Sequence, residues 1–267
     1  MKKFLLIVLV AFFISCKDET KETVVESTVI ENTEETPSSI QYPKHIASVF
    51  EAHGGFENWN SMNNLCYEIE GRGDKETHTI SLKDRKSKIE TKKWSIGYDG
   101  NEVWLLENEP ESYKGNARFY HNLMFYFYAM PFVLGDEGIV YSEMEPTELD
   151  GKMYTATKIG YNNGIGDSPE DEYILFSDPE TNTMEWLGYT VTYTKGEKSS
   201  DWHFIKYDDW SNVNGLVLPK KLTWYNVKDN KPTDERNDLV FKNRTVSATV
   251  LENGVFEKPE KAIIVEK

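Results

Sequence analysis

The spacing of apolar residues along this chain switches between two periods, and the switches mark its elements. From Asn64 the period is two: Leu65, Tyr67 and Ile69 fall on one side of the chain and Cys66, Glu68 and Glu70 on the other. Such alternation is the mark of a strand with one face turned to a core. The same pattern recurs at 77–82, 88–90, 94–98, 102–106, 140–144, 153–161, 171–176, 184–193, 202–210, 216–226 and 237–246. Turn residues separate these runs: Asp99-Gly100-Asn101, Asp150-Gly151, Asn162-Asn163-Gly164, Asp178-Pro179, Lys195-Gly196 and Asn212 to Gly215. Strands joined by tight turns in this way pair antiparallel with their neighbours. Ahead of them the period is helical. Ile46, Val49 and Phe50 share one face of a helix over 45–51 that Gly54-Gly55 closes, and Phe56 and Trp59 sit in a second short helix over 57–61.

One segment follows neither rule. Residues 119–134 read FYHNLMFYFYAMPFVL, apolar or aromatic all round. A helix from Ala117 to Ala129, ended by Pro131, fits this run best. A helix with no polar face has to be covered on every side. In an antiparallel protein the concave face of a curled sheet provides that cover. The expected fold is therefore mainly β (α+β): a long, curled antiparallel sheet of about eleven strands, with an N-terminal helix and an aromatic helix on its concave face.

The two ends of composition differ. Residues 1–15 combine Lys2 and Lys3, an apolar run from Phe4 to Ile14, and Ser15. That is the layout of a secretory signal, and the run is too short to span a bilayer, which takes about 20 residues. Cys16 follows directly, an order that resembles the lipobox of bacterial lipoproteins. The resemblance implies that Cys16 becomes the first mature residue and carries acyl chains. Lys17, Asp18 and Glu19 resemble the signal that sends lipoproteins of the Bacteroidota to the cell surface. Residues 16–40 are rich in Thr and Glu and contain no aromatic residue, which suits a disordered tether. Residues 41–267 then form the single folded domain.

The net charge is −15 over 267 residues, and loss of Lys2 and Lys3 with the signal makes it −17. Such a field repels nucleic acid and anionic headgroups, so no nucleic-acid partner is expected. With Cys16 lipidated, Cys66 is left alone, a small side chain expected in the core.

A broader resemblance rests on His53-Gly54-Gly55 with Trp59, Tyr98-Asp99-Gly100 with Val103-Trp104, Ala129-Met130-Pro131-Phe132, Asp171-Glu172-Tyr173, Glu185 to Tyr189, and Leu218-Pro219. With these residues, 45–260 is similar to a group of flavobacterial lipoproteins to which no function is assigned. The order of elements resembles the lipoprotein-carrier (LolA/LolB-like) fold. That likeness implies an apolar cavity between sheet and helices that holds acyl chains.

The candidate ligand-binding residues are Phe119, Leu123, Phe125, Tyr126, Phe127, Met130 and Phe132 on the aromatic segment, with Trp104 and Trp186 on strands. Large apolar side chains carrying a few polar handles are what small-molecule pockets use. The strand aromatics Trp94, Trp104, Trp186, Tyr189, Trp202, Trp210 and Trp224 also suit a surface platform for a glycan or a protein partner. The acidic run Asp167, Glu170, Asp171 and Glu172 lacks the spacing of a calcium loop and reads as a solvated hairpin tip. The histidines His45, His53, His78, His121 and His203 form no metal or catalytic motif, and His53 fits the end of the first helix. The chain is thus expected to be a monomeric, non-enzymatic lipoprotein of the outer membrane, exposed at the cell surface. It binds a hydrophobic, acyl or lipid-like molecule and uses no cofactor.

Overall fold

A computed structural model describes residues 41–70, 74–162, 170–193 and 197–266. The signal segment, Cys16, Lys17, Asp18, Glu19 and the tether lie outside the described residues. So do the 163–169 stretch with Asp167 and the Lys195-Gly196 turn. Residues 41–267 make up one compact unit.

The two N-terminal helices form where the apolar spacing places them, as α1 (Lys44–Ala52) and α2 (Phe56–Ser61). Ile46, Val49 and Phe50 of α1 are buried. The helix ends at His53, and Gly54 follows with φ +100°. A Cβ at Gly54 would stand 2.3 Å from the Gly215 carbonyl oxygen, so only glycine lets this turn dock where it does.

The strands are β1 (Asn64–Glu70), β2 (Lys75–Ser81), β3 (Ser87–Glu90), β4 (Trp94–Tyr98), β5 (Val103–Glu107), β6 (Ile139–Glu143), β7 (Thr147–Leu149), β8 (Lys152–Tyr161) and β9 (Tyr173–Ser177). They continue as β10 (Met184–Tyr189), β11 (His203–Asp208), β12 (Ser211–Val213), β13 (Leu216–Leu218), β14 (Lys221–Lys228), β15 (Lys231–Val240), β16 (Lys242–Ser247) and β17 (Ile263–Ile264). Every pairing among them is antiparallel. One sheet has the order β16-β1-β2-β3-β4-β5-β17 and the other β15-β14-β11-β10-β9-β8-β6, with β7 beside β8. Only Phe241 separates β15 from β16, so a single long stretch of chain pairs with β14 in its first half and with β1 in its second. The two sheets are joined at this corner and remain open at their far edges, β17 and β6. This is the curled, unclosed antiparallel sheet expected from the sequence.

Two expected strands are each divided. The run 216–226 breaks into β13 and β14 at Pro219, which has no N–H to give a ladder. The run 237–246 is cut at Phe241, whose ring leaves the ladder for the core against Tyr67 and Tyr128.

Period two sorts the side chains of the second sheet between two clusters. Ile159, Leu175, Leu187, Ile205 and Leu222 face the helices in the main core. Their neighbours Ala156, Ile174, Trp186, Phe204 and Tyr225 pack on the outer face. On the first sheet, Ile96 and Val103 face inward with Ala117. Trp104 points the other way. It stacks across Gly97, where a Cβ would meet its ring at 2.2 Å, and its indole N–H donates to the Phe256 carbonyl at 3.0 Å. Cys66 is half-buried rather than a core side chain, because it falls on the side of β1 opposite Leu65 and Tyr67.

The aromatic segment is not one helix. It forms α3 (Ala117–Tyr120) and α4 (Leu123–Tyr128), then a 3-10 turn over 132–135. Asn116 starts α3 by accepting the Phe119 N–H at 3.0 Å. Asn122, with φ −126° and ψ −3°, interrupts the helix and restarts it. Asparagine favours such cap positions because its side chain competes with the backbone inside a helix.

Candidate functional site

The broken helix lies between the inner faces of the two sheets and leaves a cavity of about 360 Å³. Strands β2 to β4 contribute Ile80, Ser87 and Tyr98, β8, β9 and the residues just ahead of β9 contribute Tyr161, Asp171 and Tyr173, and Tyr193 follows β10. The α3–α4 segment contributes Phe119, Leu123, Phe125, Tyr126 and Phe127. Val133 and Asp136 close the wall together with Arg85. The volume falls in the range of small-molecule sites, about 300–1,000 Å³.

Five of the nine expected ligand-binding residues therefore meet at one cavity: Phe119, Leu123, Phe125, Tyr126 and Phe127. The other four lie elsewhere. Met130 and Phe132 are buried in the main core, where Phe132 stacks on Trp59 with centroids 4.9 Å apart. Trp104 and Trp186 are on the outer faces of the two sheets. Trp186 packs on Tyr225, and the Lys206 ammonium lies 5.3 Å from its ring. Nothing in period two says which face of a strand will look into a cavity, so these two could not be sorted from sequence.

The polar groups of the cavity fall into two sets. Arg85, in the turn between β2 and β3, forms an ion pair with Asp136 and lies 5.1 Å from the Phe125 ring. Burial raises the Asp136 carboxyl above the usual range, and Arg85 opposes the rise. This pair also borders a second, outer cavity of about 310 Å³ beside Trp59 and Lys83, so it forms a partition between the two.

The second set surrounds Asp171. The acidic run does not end there as a solvated tip. Asp171 faces the cavity, and its Oδ1 accepts both the N–H of Thr192 at 2.7 Å and its hydroxyl at 2.6 Å. Burial raises the Asp171 carboxyl, while the two bonds from Thr192 pull it down. Tyr161 and Tyr173 stand edge to face beside it, with centroids 6.0 Å apart, and burial raises both phenols. Phe119 packs on Tyr193 at 4.9 Å. Glu172, one residue on, turns outward to Lys158 at 2.9 Å. Thr192 lies 21 residues from Asp171, too far along the chain for the pairing to show in the sequence.

His121 lines the cavity, while His53 and His78 are buried in structural contacts. His53 is fully buried; its Nδ1–H donates to the Val217 carbonyl at 3.1 Å and its Nε2 accepts the Met184 N–H at 3.0 Å. Burial lowers its pKa to about 4, against a smaller rise from the Val217 bond, so the ring is neutral and ties α1 to β10 and β13. His78 lies 3.0 Å from the Glu76 carboxylate, which also accepts the Tyr120 hydroxyl at 2.7 Å. Both are 2 % exposed, and neither borders the cavity. Among the described residues no group of three or more His, Cys, Asp or Glu is placed to hold a metal ion. No helix among them is long and apolar enough to cross a membrane.

The structure is similar to a LolA superfamily protein from Nitrosomonas europaea, with 10% identity and a TM-score of 0.46 over 79% of this chain and 96% of that one. It is also similar to a domain from Vibrio parahaemolyticus described as an outer membrane lipoprotein-sorting protein, with 7% identity and a TM-score of 0.41 over 75% of this chain and 93% of that one. No curated protein matches the sequence. A family model matches residues 73–243, more than half of the chain, and the protein belongs to that family, a family of unknown function (DUF6503).

Proposed function

We propose that this protein is a non-enzymatic lipoprotein, anchored to the outer membrane through Cys16 and displayed at the cell surface, whose half-barrel shelters a hydrophobic, acyl or lipid-like ligand. The observation that carries this reading is the cavity of about 360 Å³ under the broken aromatic helix, floored by Ile80, Val133, Leu123, Phe125 and Phe127. An alkyl chain entering it leaves water at a gain of roughly 0.8 kcal/mol per buried CH₂, before ordering costs. The α3–α4 segment is the gate. Its hinge is Asn122, where the helical hydrogen bonding is already interrupted.

The rival reading, a surface platform for glycan or protein, requires tryptophans exposed on strands. Trp94, Trp104, Trp186 and Trp224 are buried, and Trp202 and Trp210 are only half-exposed. That distribution favours the cavity. Uptake of the neutral fluorescent probe N-phenylnaphthylamine tests the reading. Saturable uptake at micromolar probe, abolished by filling the cavity with Leu123→Trp, supports it. Absence of saturable uptake rejects it.

A further inference from the structure

The cavity described above is not evenly apolar, and its polar end has a definite chemistry. Among the described residues, two arginines, Arg85 and Arg118, and three carboxylates, Asp136, Glu137 and Asp171, line it beside His121, an excess of one negative charge with the histidine neutral, in a chain of net charge −15. Arg85 is engaged by Asp136. Asp171 forms no ion pair among the described residues, and its hydrogen-bond partner is Thr192. Both of its hydrogen bonds fall on one oxygen, Oδ1, and both come from Thr192. Oδ2 has no donor among the described residues.

Tyr161, Tyr173 and Tyr193 line the same cavity as that carboxylate. The pairing of β8 with β9 sets Ile159 opposite Tyr173, and Tyr161 at the end of β8 and Asp171 just ahead of β9 line the same cavity. Tyr173 is two residues from Asp171 and opens β9. The Tyr161 and Tyr173 rings meet edge to face at 80°, and Tyr193 closes the end against Phe119. A carboxylate and several tyrosine rings lining one cavity are the groups that hold an alkylated ammonium. The rings attract the cation through their quadrupoles, and the carboxylate balances its charge. A carboxylate or phosphate head would instead meet Asp171 with like charge.

We propose that the cavity selects an amphiphile with an ammonium head, seated against Asp171, Tyr161 and Tyr173, with its tail along Phe119, Leu123 and Phe127. This inference rests on the proposed role of the cavity as a ligand site and specifies the class of ligand.

The test compares three probes with the same tail, dodecyltrimethylammonium, dodecanol and dodecanoate. Each is titrated calorimetrically into the purified full chain below its micelle concentration. The expected result is that the ammonium probe binds about tenfold more tightly than dodecanol, the scale of a partly desolvated cation on aromatic rings, and that dodecanoate binds most weakly. Asp171→Asn should erase the preference for the ammonium probe, with an unchanged urea midpoint showing that the variant is folded. Tyr161→Leu should reduce the preference in the same way. Equal affinities for dodecanol and the ammonium probe, or a preference that survives Asp171→Asn, overturn the ammonium site while leaving a ligand cavity in place. Failure of all three probes to bind overturns both.

Discussion

Acid should destabilise this protein in part through one buried ring. His53 is folded into the core with both ring nitrogens committed, Nδ1–H to the Val217 carbonyl and Nε2 to the Met184 N–H. Protonation needs a donor at Nε2, where the structure supplies another donor, and places a charge on a fully buried ring. The folded ring titrates at about 4 and the ordinary value is 6.5. Because the folded value is the lower one, the unfolded chain binds the extra proton first. The contribution of His53 is complete above 6.5 and is lost as the pH falls from there toward 4. The two values differ by about 2.5, and at about 1.36 kcal/mol per pKa unit the loss is about 3 kcal/mol. Urea unfolding followed by tryptophan fluorescence reads this directly, with the parent protein compared to His53→Gln from about pH 7.5 down to about pH 4. The glutamine variant should be less stable at neutral pH, since it cannot reproduce both bonds. That gap should shrink by about 3 kcal/mol at the acid end, because only the parent has a ring to protonate. His45, His78 and His203, whose pKa values burial also lowers, titrate in both proteins and cancel in the difference. A gap that stays constant across the range refutes the reasoning.

Other parts of the fold make their own predictions. Gly97→Ala forces a Cβ to 2.2 Å from the Trp104 ring and should cost about 1–3 kcal/mol of stability, read as a lower urea midpoint; an unchanged midpoint would show that the ring moves freely. Tyr207→Phe removes the 2.8 Å bond to the Phe127 carbonyl, leaves that buried acceptor empty, and should cost about 1–3 kcal/mol by the same measurement. Cys16→Ser should release the protein from membranes on fractionation. Changing Lys17, Asp18 and Glu19 to alanine should keep it membrane-bound but hide it from protease added to intact cells.

Much of the architecture can be read from the alternation of side chains. Leu175 with Phe176, and Leu187 with Trp186, already separate into two faces at the sequence level, and Pro131 and Gly54 mark real stops. The missing parts have physical reasons. β7, β12 and β17 are two or three residues long, too short to show a period. The first half of β15 is exposed on both faces, so it carries no apolar stripe and begins six residues ahead of the expected start. The break at Asn122 was masked by the aromatic residues on both sides of it. The cavity was legible only in its helical wall. Asp171 sits in a run of Gly, Pro and acids that looks like any surface turn, and only the distant Thr192 and the facing Tyr161 give it a partner and a setting. Arg85 and Asp136 meet across 51 residues of chain, a contact no local pattern announces.

The central claim is that the cavity under α3 and α4 holds a lipid-like molecule, and native mass spectrometry of the protein purified without detergent tests it most directly. The account predicts added mass that disappears on organic extraction and is absent from Leu123→Trp. A bare polypeptide mass, unchanged after incubation with alkyl probes, would contradict it.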